Sequence, residues 1–387
     1  MEVLVLRRWA ENAFENRRGE PFGRFQGRGW SRGRSFAAAV AVVTVLVMST
    51  VVAVPAEAAP QPEPHGFIYV ANSQSDTVSV IDIATNKVIA TISVGRNPLE
   101  VALSPNGARA YVTNQGTDTV SVINTATNKV VAVILVGDNP FGVVVSPRGT
   151  RAYVTNQGTD TVSVINTATN RVTATIPVGR NPFRVAVSPR SPRAYVTNQD
   201  SGTVSVIDTT TNRVVATIPV GRNPFGVTIS PRSPRAYVTN QDSGTVSVID
   251  TVTNRVVATI PVGRNPFRVA ISPDGVRAYV TYIDSDTVLV INIVTNIAAT
   301  TISVGLNPFG IAISPDGTRV YVTNLGADSV SVIDTATNKV IATIFVGDEP
   351  FGIAAVDAIR QSGVPPIKVR RPKSRSNHSG SMPQGQG

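Results

Sequence analysis

The sequence predicts an all-β fold: a seven-bladed β-propeller of 42-residue, four-stranded repeats, with its ring closed by the C-terminal strand. Three observations carry this. A tetrad reads YVAN at Tyr69, YVTN at Tyr111, Tyr153, Tyr195 and Tyr237, YVTY at Tyr279 and YVTN at Tyr321, always 42 residues apart. A fixed period of that size marks a repeat architecture. Each unit divides into four short runs rich in Val, Ile, Thr and Tyr, and four strands per unit is the pattern of a propeller blade. Finally, the two ends of the array are incomplete in complementary ways.

Residues 1–58 read as a secretory signal peptide. An arginine-rich stretch ends at SRGRSF, an uncharged run follows over 36–54, and AEA at Ala56–Ala58 offers small residues for cleavage after Ala58. No Arg-Arg pair directly precedes the run, which favours the general secretory route. The alternative is an uncleaved anchor, since 19 apolar residues almost span a bilayer. Residues 59–65 form a linker. The propeller is expected over 66–359 and a disordered basic tail over 360–387.

Within one unit, Arg109–Pro147, the strands are read as AYVTN, TVSVIN, KVVAVILVG and FGVVVSP. β-Branched and aromatic side chains suit a pleated surface. The corner after the second run carries Asn at 86, 128, 170, 212, 254, 296 and 338, a residue that tolerates the left-handed backbone. SPNG, SPRG and SPDG place Pro where φ is pre-set and Gly where φ turns positive. In GxNPF the residue before Pro is expected to be extended, carrying the chain from one sheet into the next.

The N-terminal unit lacks an innermost strand, and FGIAAVD at Phe351–Asp357 lacks a tetrad strand after it. The C-terminal strand is therefore expected to pair with Ile68–Asn72. Closing so long a loop costs about 5 kcal/mol of chain entropy. Burying three or four apolar side chains returns about 5–10 kcal/mol, and closure removes two exposed edges.

Charge is unevenly placed. The chain carries +10 overall, but 1–65 and 66–359 hold only +2 each and the tail holds +6. The propeller is thus nearly neutral, and specific nucleic-acid binding is not indicated. There is no cysteine, which removes disulfides, thiolate ligands and a lipid anchor. The two histidines, His65 and His378, both lie outside the blades.

The seven in-frame tetrads, with NP-[FL]-x-[VI] and SP in nearly every unit, make the chain resemble the YVTN β-propeller repeat family, within the lactonase-like seven-bladed propellers. The resemblance covers 66–359 and implies the fold more strongly than an activity. Its enzymatic relatives use histidine, arginine and carboxylate groups around one channel mouth. No blade histidine exists here, so no catalytic residue, metal site or cofactor is assigned.

Residues shared by every blade belong to structure; function is sought where the copies differ. Before NP the series is Arg96, Asp138, Arg180, Arg222, Arg264, Leu306 and Asp348. Four residues later it is Glu100, Gly142, Arg184, Gly226, Arg268, Gly310 and Gly352. Arg180, Arg184, Arg222, Arg264 and Arg268 thus form a candidate anion-binding arc at the channel mouth, with Gly226 expected to leave a gap between Arg184 and Arg268. Planar guanidinium forks suit carboxylate, phosphate or sulfate groups. The competing view is a solvated rim whose arginines pair with Asp200 and Asp242. Arg148, Arg151, Arg190, Arg193, Arg232 and Arg235 occupy the opposite face, and Tyr282, Leu289, Ile293, Ile297 and Leu306 make a candidate apolar patch.

The sequence therefore reads as an exported, non-catalytic, monomeric binding or surface-display propeller. Its expected partners are an anionic cell-envelope polymer or another protein, and the membrane if the signal segment stays uncleaved. The alternative is a lactonase-like hydrolase working through carboxylate and arginine groups at the channel mouth.

Overall fold

The computed structural model describes residues 66–357. The signal segment, the cleavage site after Ala58, the linker 59–65 and the tail 360–387 lie outside the described residues. Among those described, no helix is long and apolar enough to cross a membrane.

Seven four-stranded antiparallel sheets follow one another round the ring. Blade 2 shows the plan: Pro98–Leu103 innermost, then Arg109–Asn114, Thr119–Asn124, and Lys129–Leu135 outermost. Blades 3 to 7 repeat it over 140–177, 182–219, 224–261, 266–303 and 308–345. Blade 1 is the closure. Pro350–Asp357 lies innermost against Gly66–Asn72, whose other side pairs with Thr77–Asp82, and Lys87–Ser93 forms the outer edge. The register Ile68↔Ala355, Tyr69↔Ala354 and Val70↔Ile353 confirms the pairing expected from the chain ends.

Strand alternation explains the core. Successive side chains point to opposite faces, and both faces of each blade are covered by a neighbour. Ile68 and Val70 pack with Tyr321, Val330 and Val332 of blade 7, while Tyr69, Val78 and Val80 pack with Val101, Val112 and Ile123 of blade 2. That double burial is why runs such as TVSVID hold buried residues at nearly every position.

The corner asparagines adopt the left-handed backbone in all seven copies, from φ 51° at Asn128 to 58° at Asn296. The crossing between blades departs from expectation. Asn97, Asn139, Asn181, Asn223, Asn265 and Asn307 are not extended but left-handed, with φ of 51–55°, and Glu349 takes φ 49° in blade 1. A local anchor overrides the usual preference before proline. The Asn97 N–H donates to Asp76 Oδ1 at 2.8 Å, and Asn139 and Asn181 do the same to Asp118 and Asp160.

The tetrad asparagine locks the next feature. Asn114 donates through Nδ2 to Thr119 and Ser121 hydroxyls, and its Oδ1 accepts from the Gly95 N–H at 3.2 Å. A Cβ on Gly95 would come within 2.6 Å of that side chain, so only glycine fits the crossing. Blade 6 rebuilds this as a pair. Tyr282 and Leu289 replace the Asn240–Ser247 partnership of blade 5 with an apolar contact, and the Tyr282 hydroxyl donates to the Val262 carbonyl. Tyr282, Leu289 and Ile293 are buried; of the expected apolar patch only Ile297 and Leu306 face solvent.

Candidate functional site at the propeller axis

The innermost strands place two consecutive side chains at the axis. The first is Leu99, Phe141, Phe183, Phe225, Phe267, Phe309 and Phe351, all buried in one cluster. Neighbouring rings touch, as Phe141 and Phe183 do at 4.6 Å between centroids. Rings of non-adjacent blades touch as well: Phe141 with Phe225 at 5.8 Å, Phe141 with Phe351 at 5.7 Å, and Phe225 with Phe309 at 5.6 Å. Contacts across the ring mean that this level of the channel is filled.

Each tetrad threonine fastens the plug. Thr113 accepts from the Glu100 N–H of its own blade and donates to the Phe141 carbonyl of the next at 2.7 Å. Thr155, Thr197, Thr239, Thr281 and Thr323 repeat the bridge. One hydroxyl thus satisfies two buried backbone groups that would otherwise each cost about 1–3 kcal/mol.

The second position alternates glycine and bulk, except where Gly310 adjoins Gly352: Gly352, Glu100, Gly142, Arg184, Gly226, Arg268 and Gly310 round the ring. The glycines are places of close approach, not gaps. A Cβ on Gly226 would meet the Phe267 carbonyl at 2.7 Å, and one on Gly352 would meet the Leu99 carbonyl at 2.5 Å. The gap expected at Gly226 is therefore absent, because the next strand's backbone occupies it.

Arg184 and Arg268 do converge, but on the chain's own carboxylate. Glu100 Oε2 accepts from Arg184 Nη1 and from Arg268 Nη2, and Oε1 accepts from Arg268 Nη1 at 3.2 Å. The Glu100 and Arg268 side chains are each 3% exposed, against 19% for Arg184. Arg268 also lies 5.2 Å from the Phe309 ring centroid, a cation–π distance. Burial pulls the Arg184 guanidinium down to about 10, Arg268 adds to that and Glu100 opposes it, so it stays protonated near neutral pH.

The other members of the arc lie apart from this cluster. Arg180, Arg222 and Arg264 stand on three successive crossings of the same face, with exposed side chains. Their expected partners are otherwise engaged: Asp200 accepts from Asn181 Nδ2 and Asp242 from Asn223 Nδ2. Sequence reasoning had Glu100 in the series without its role. Its signal was the lone carboxylate in a ring position that otherwise carries only Gly and Arg.

On the opposite face some arginines brace strands within a blade and others join neighbouring blades. Arg193 pairs with Asp208 and Arg235 with Asp250, while Arg151 donates to the Thr209 carbonyl and Arg190 to the Pro231 carbonyl of following blades. Arg148, Arg151 and Arg190 border a concavity of about 540 Å³ between blades 3 and 4. Turn N–H groups of Thr211 and then Thr210 hold the Asp208 carboxyl below its usual 3.8, with Arg193 adding to the effect, and Thr253 does the same first for Asp250. A carboxylate with a lowered pKa is a weak general base. Among the described residues, no group of three His, Cys, Asp or Glu side chains is placed to hold a metal ion.

A family model described as the Choice-of-anchor I domain matches residues 34–226. No curated protein matches the sequence. Among solved structures the chain is similar to Kuenenia stuttgartiensis hydrazine synthase, at 24% identity and a TM-score of 0.65, over 73% of this chain and 99% of that one. It is also similar to a functionally unknown protein from Desulfotomaculum acetoxidans DSM 771, at 18% identity and a TM-score of 0.67, over 75% and 99%. At these identities the likeness is one of fold. The chain is a seven-bladed propeller that matches the Choice-of-anchor I domain over its N-terminal part.

Proposed function

We propose that this propeller is a non-catalytic binding or display module working outside the cytoplasm, with one face offered to an anionic polymer. The observation that carries this is the state of the axis. Seven apolar side chains fill it, and its one carboxylate, Glu100, is held by two arginines. A hydrolase of the lactonase-like kind would need a free carboxylate at the axis, and Glu100 is not free. The match to a domain named for choice of anchor, together with the export-type N-terminus, supports a place at the cell surface.

The contact surface in this reading is the exposed set Arg180, Arg222 and Arg264. Arg184 and Arg268 leave it, since both are drawn to the axis by Glu100. Binding to immobilised heparin tests the idea. The wild-type propeller should elute at higher salt than the Arg180→Ala, Arg222→Ala, Arg264→Ala triple variant, because exposed charge contacts are screened within a Debye length of about 10 Å at 0.1 M salt. Equal elution would sink the polymer reading. Lactone turnover that Glu100→Gln abolishes would replace the whole proposal with the hydrolase.

A further inference from the structure

The axial cluster sets two guanidinium groups against a single carboxylate, so it carries one unbalanced positive charge beside an apolar plug. Glu100 is fully used: one oxygen serves both arginines and the other serves Arg268 alone. One donor is left over. Arg268 Nε is buried without a hydrogen-bond partner, in a side chain only 3% exposed. A buried guanidinium nitrogen with nothing to donate to is costly, and the nearby Phe309 face offsets only part of that cost. Arg184, 19% exposed, connects the cluster to solvent. Burial closes Arg268 to a polymer, and Arg184 is the exposed side of the cluster.

We infer that the axis binds one small monovalent anion, carboxylate or halide, with Arg184 and the Arg268 Nε–H as its donors and Glu100 as the fixed counter-charge that limits the site to one. This goes beyond the polymer reading and uses other side chains, so either can fail alone. Burial and the charge of Arg268 both strain the Arg184 guanidinium, and an added anion would relieve both.

The test is the melting temperature in sodium formate, sodium chloride or sodium gluconate at one ionic strength, which holds general screening constant. Gluconate is the control too large to enter. Formate or chloride at a hundredfold excess over Kd should raise the midpoint by about 4 °C relative to gluconate. The larger rise identifies the class, carboxylate or halide. Arg184→Ala should abolish the difference. Glu100→Gln keeps the shape and removes the counter-charge, and should tighten the anion by about tenfold or more, as expected for one unit of nearby charge. This second variant keeps the inference open to refutation if Arg184→Ala does not fold. Equal midpoints in all three salts, a difference that survives Arg184→Ala, or weaker binding in Glu100→Gln would overturn it.

Discussion

Blade 5 is cut from one uninterrupted stretch, whereas blade 1 is stitched from both ends of the propeller, and the two are held together differently. In blade 5 the innermost pair has four rungs: Pro224↔Asn240, Val227↔Val238, Thr228↔Tyr237 and Ile229↔Ala236. In blade 1 it has six, the additional ones including Gly66↔Asp357 and Phe67↔Val356. Blade 5 carries the Thr239 bridge to the Phe267 carbonyl, but at the same place blade 1 has Ala71 and no hydroxyl. Blade 1 adds a polar tie across the seam instead. The Ser73 hydroxyl donates to the Glu349 carbonyl where blade 5 has Gln241, whereas the Asp348 N–H to Ser75 bond is matched in blade 5 by Arg222 N–H to Ser243. A continuous blade leans on side-chain bridges, while a blade joined from distant segments leans on extra pairing.

The largest expected effect comes from removing that pairing. A chain ending before Pro350 loses the innermost strand of blade 1 and bares Ile68, Tyr69 and Val70, which are now 0% exposed. It should lose its single cooperative melting transition and aggregate, as unpaired strand edges do. A circular permutant refines the comparison. Asp357 and Gly66 are paired and can be joined by a short turn, with new ends opened in the Ser-Pro turn of blade 5. The seam then falls on a pair with two fewer rungs, and the permutant should fold yet be less stable by about 1–3 kcal/mol. Equal stability in urea titrations would show that the additional rungs contribute nothing to closure.

A second effect separates the blades by their axial glycines. Gly352→Ala puts a Cβ 2.5 Å from the Leu99 carbonyl and 2.7 Å from Glu100 Cα, both backbone atoms that cannot swing aside. Gly226→Ala meets the Phe267 carbonyl at 2.7 Å and the Thr239 hydroxyl at 2.9 Å. Each should cost about 1–3 kcal/mol as overpacking, with Gly352→Ala the larger because its two nearest contacts are shorter and both are with backbone. If Gly226→Ala proves the worse in chemical denaturation, the seam is more compliant than its register implies.

Most of the fold was legible because it is written seven times. Period, strand runs, corner asparagines and the closing strand all follow from local chemistry repeated at one offset. What escaped was chemistry that needs two separate segments at once. The left-handed Asn97 depends on Asp76, 21 residues earlier, which overrides the proline rule. Tyr282 and Leu289 looked like separate apolar departures, yet they exchange a polar pair for an apolar one on neighbouring strands. The arginine series foretold that Arg184 and Arg268 approach the axis. It could not tell that Glu100, from blade 2, would reach between them, because side-chain reach across a ring has no sequence offset of its own.

The smallest effect tests the comparison most directly, by exchanging the two devices. Thr239→Ala removes a hydroxyl that accepts from the Gly226 N–H at 2.8 Å and donates to the Phe267 carbonyl. Both backbone groups stay buried, and the expected loss is about 1–2 kcal/mol. Ala71→Thr is the reverse change. It would give blade 1 the bridge that the other six blades have, from Gly352 to the Leu99 carbonyl, and Ala71 occupies the matching place in its strand, 0% exposed. If the seam is otherwise built like its neighbours, this variant should gain about 0.5–1.5 kcal/mol in urea unfolding. The gain should also be kept in the circular permutant, where blade 1 is no longer the point of closure. A loss on Ala71→Thr would show instead that the additional rungs draw Pro350–Asp357 too close to admit a hydroxyl. Alanine at this one tetrad would then be a requirement of the seam and not a missing bridge.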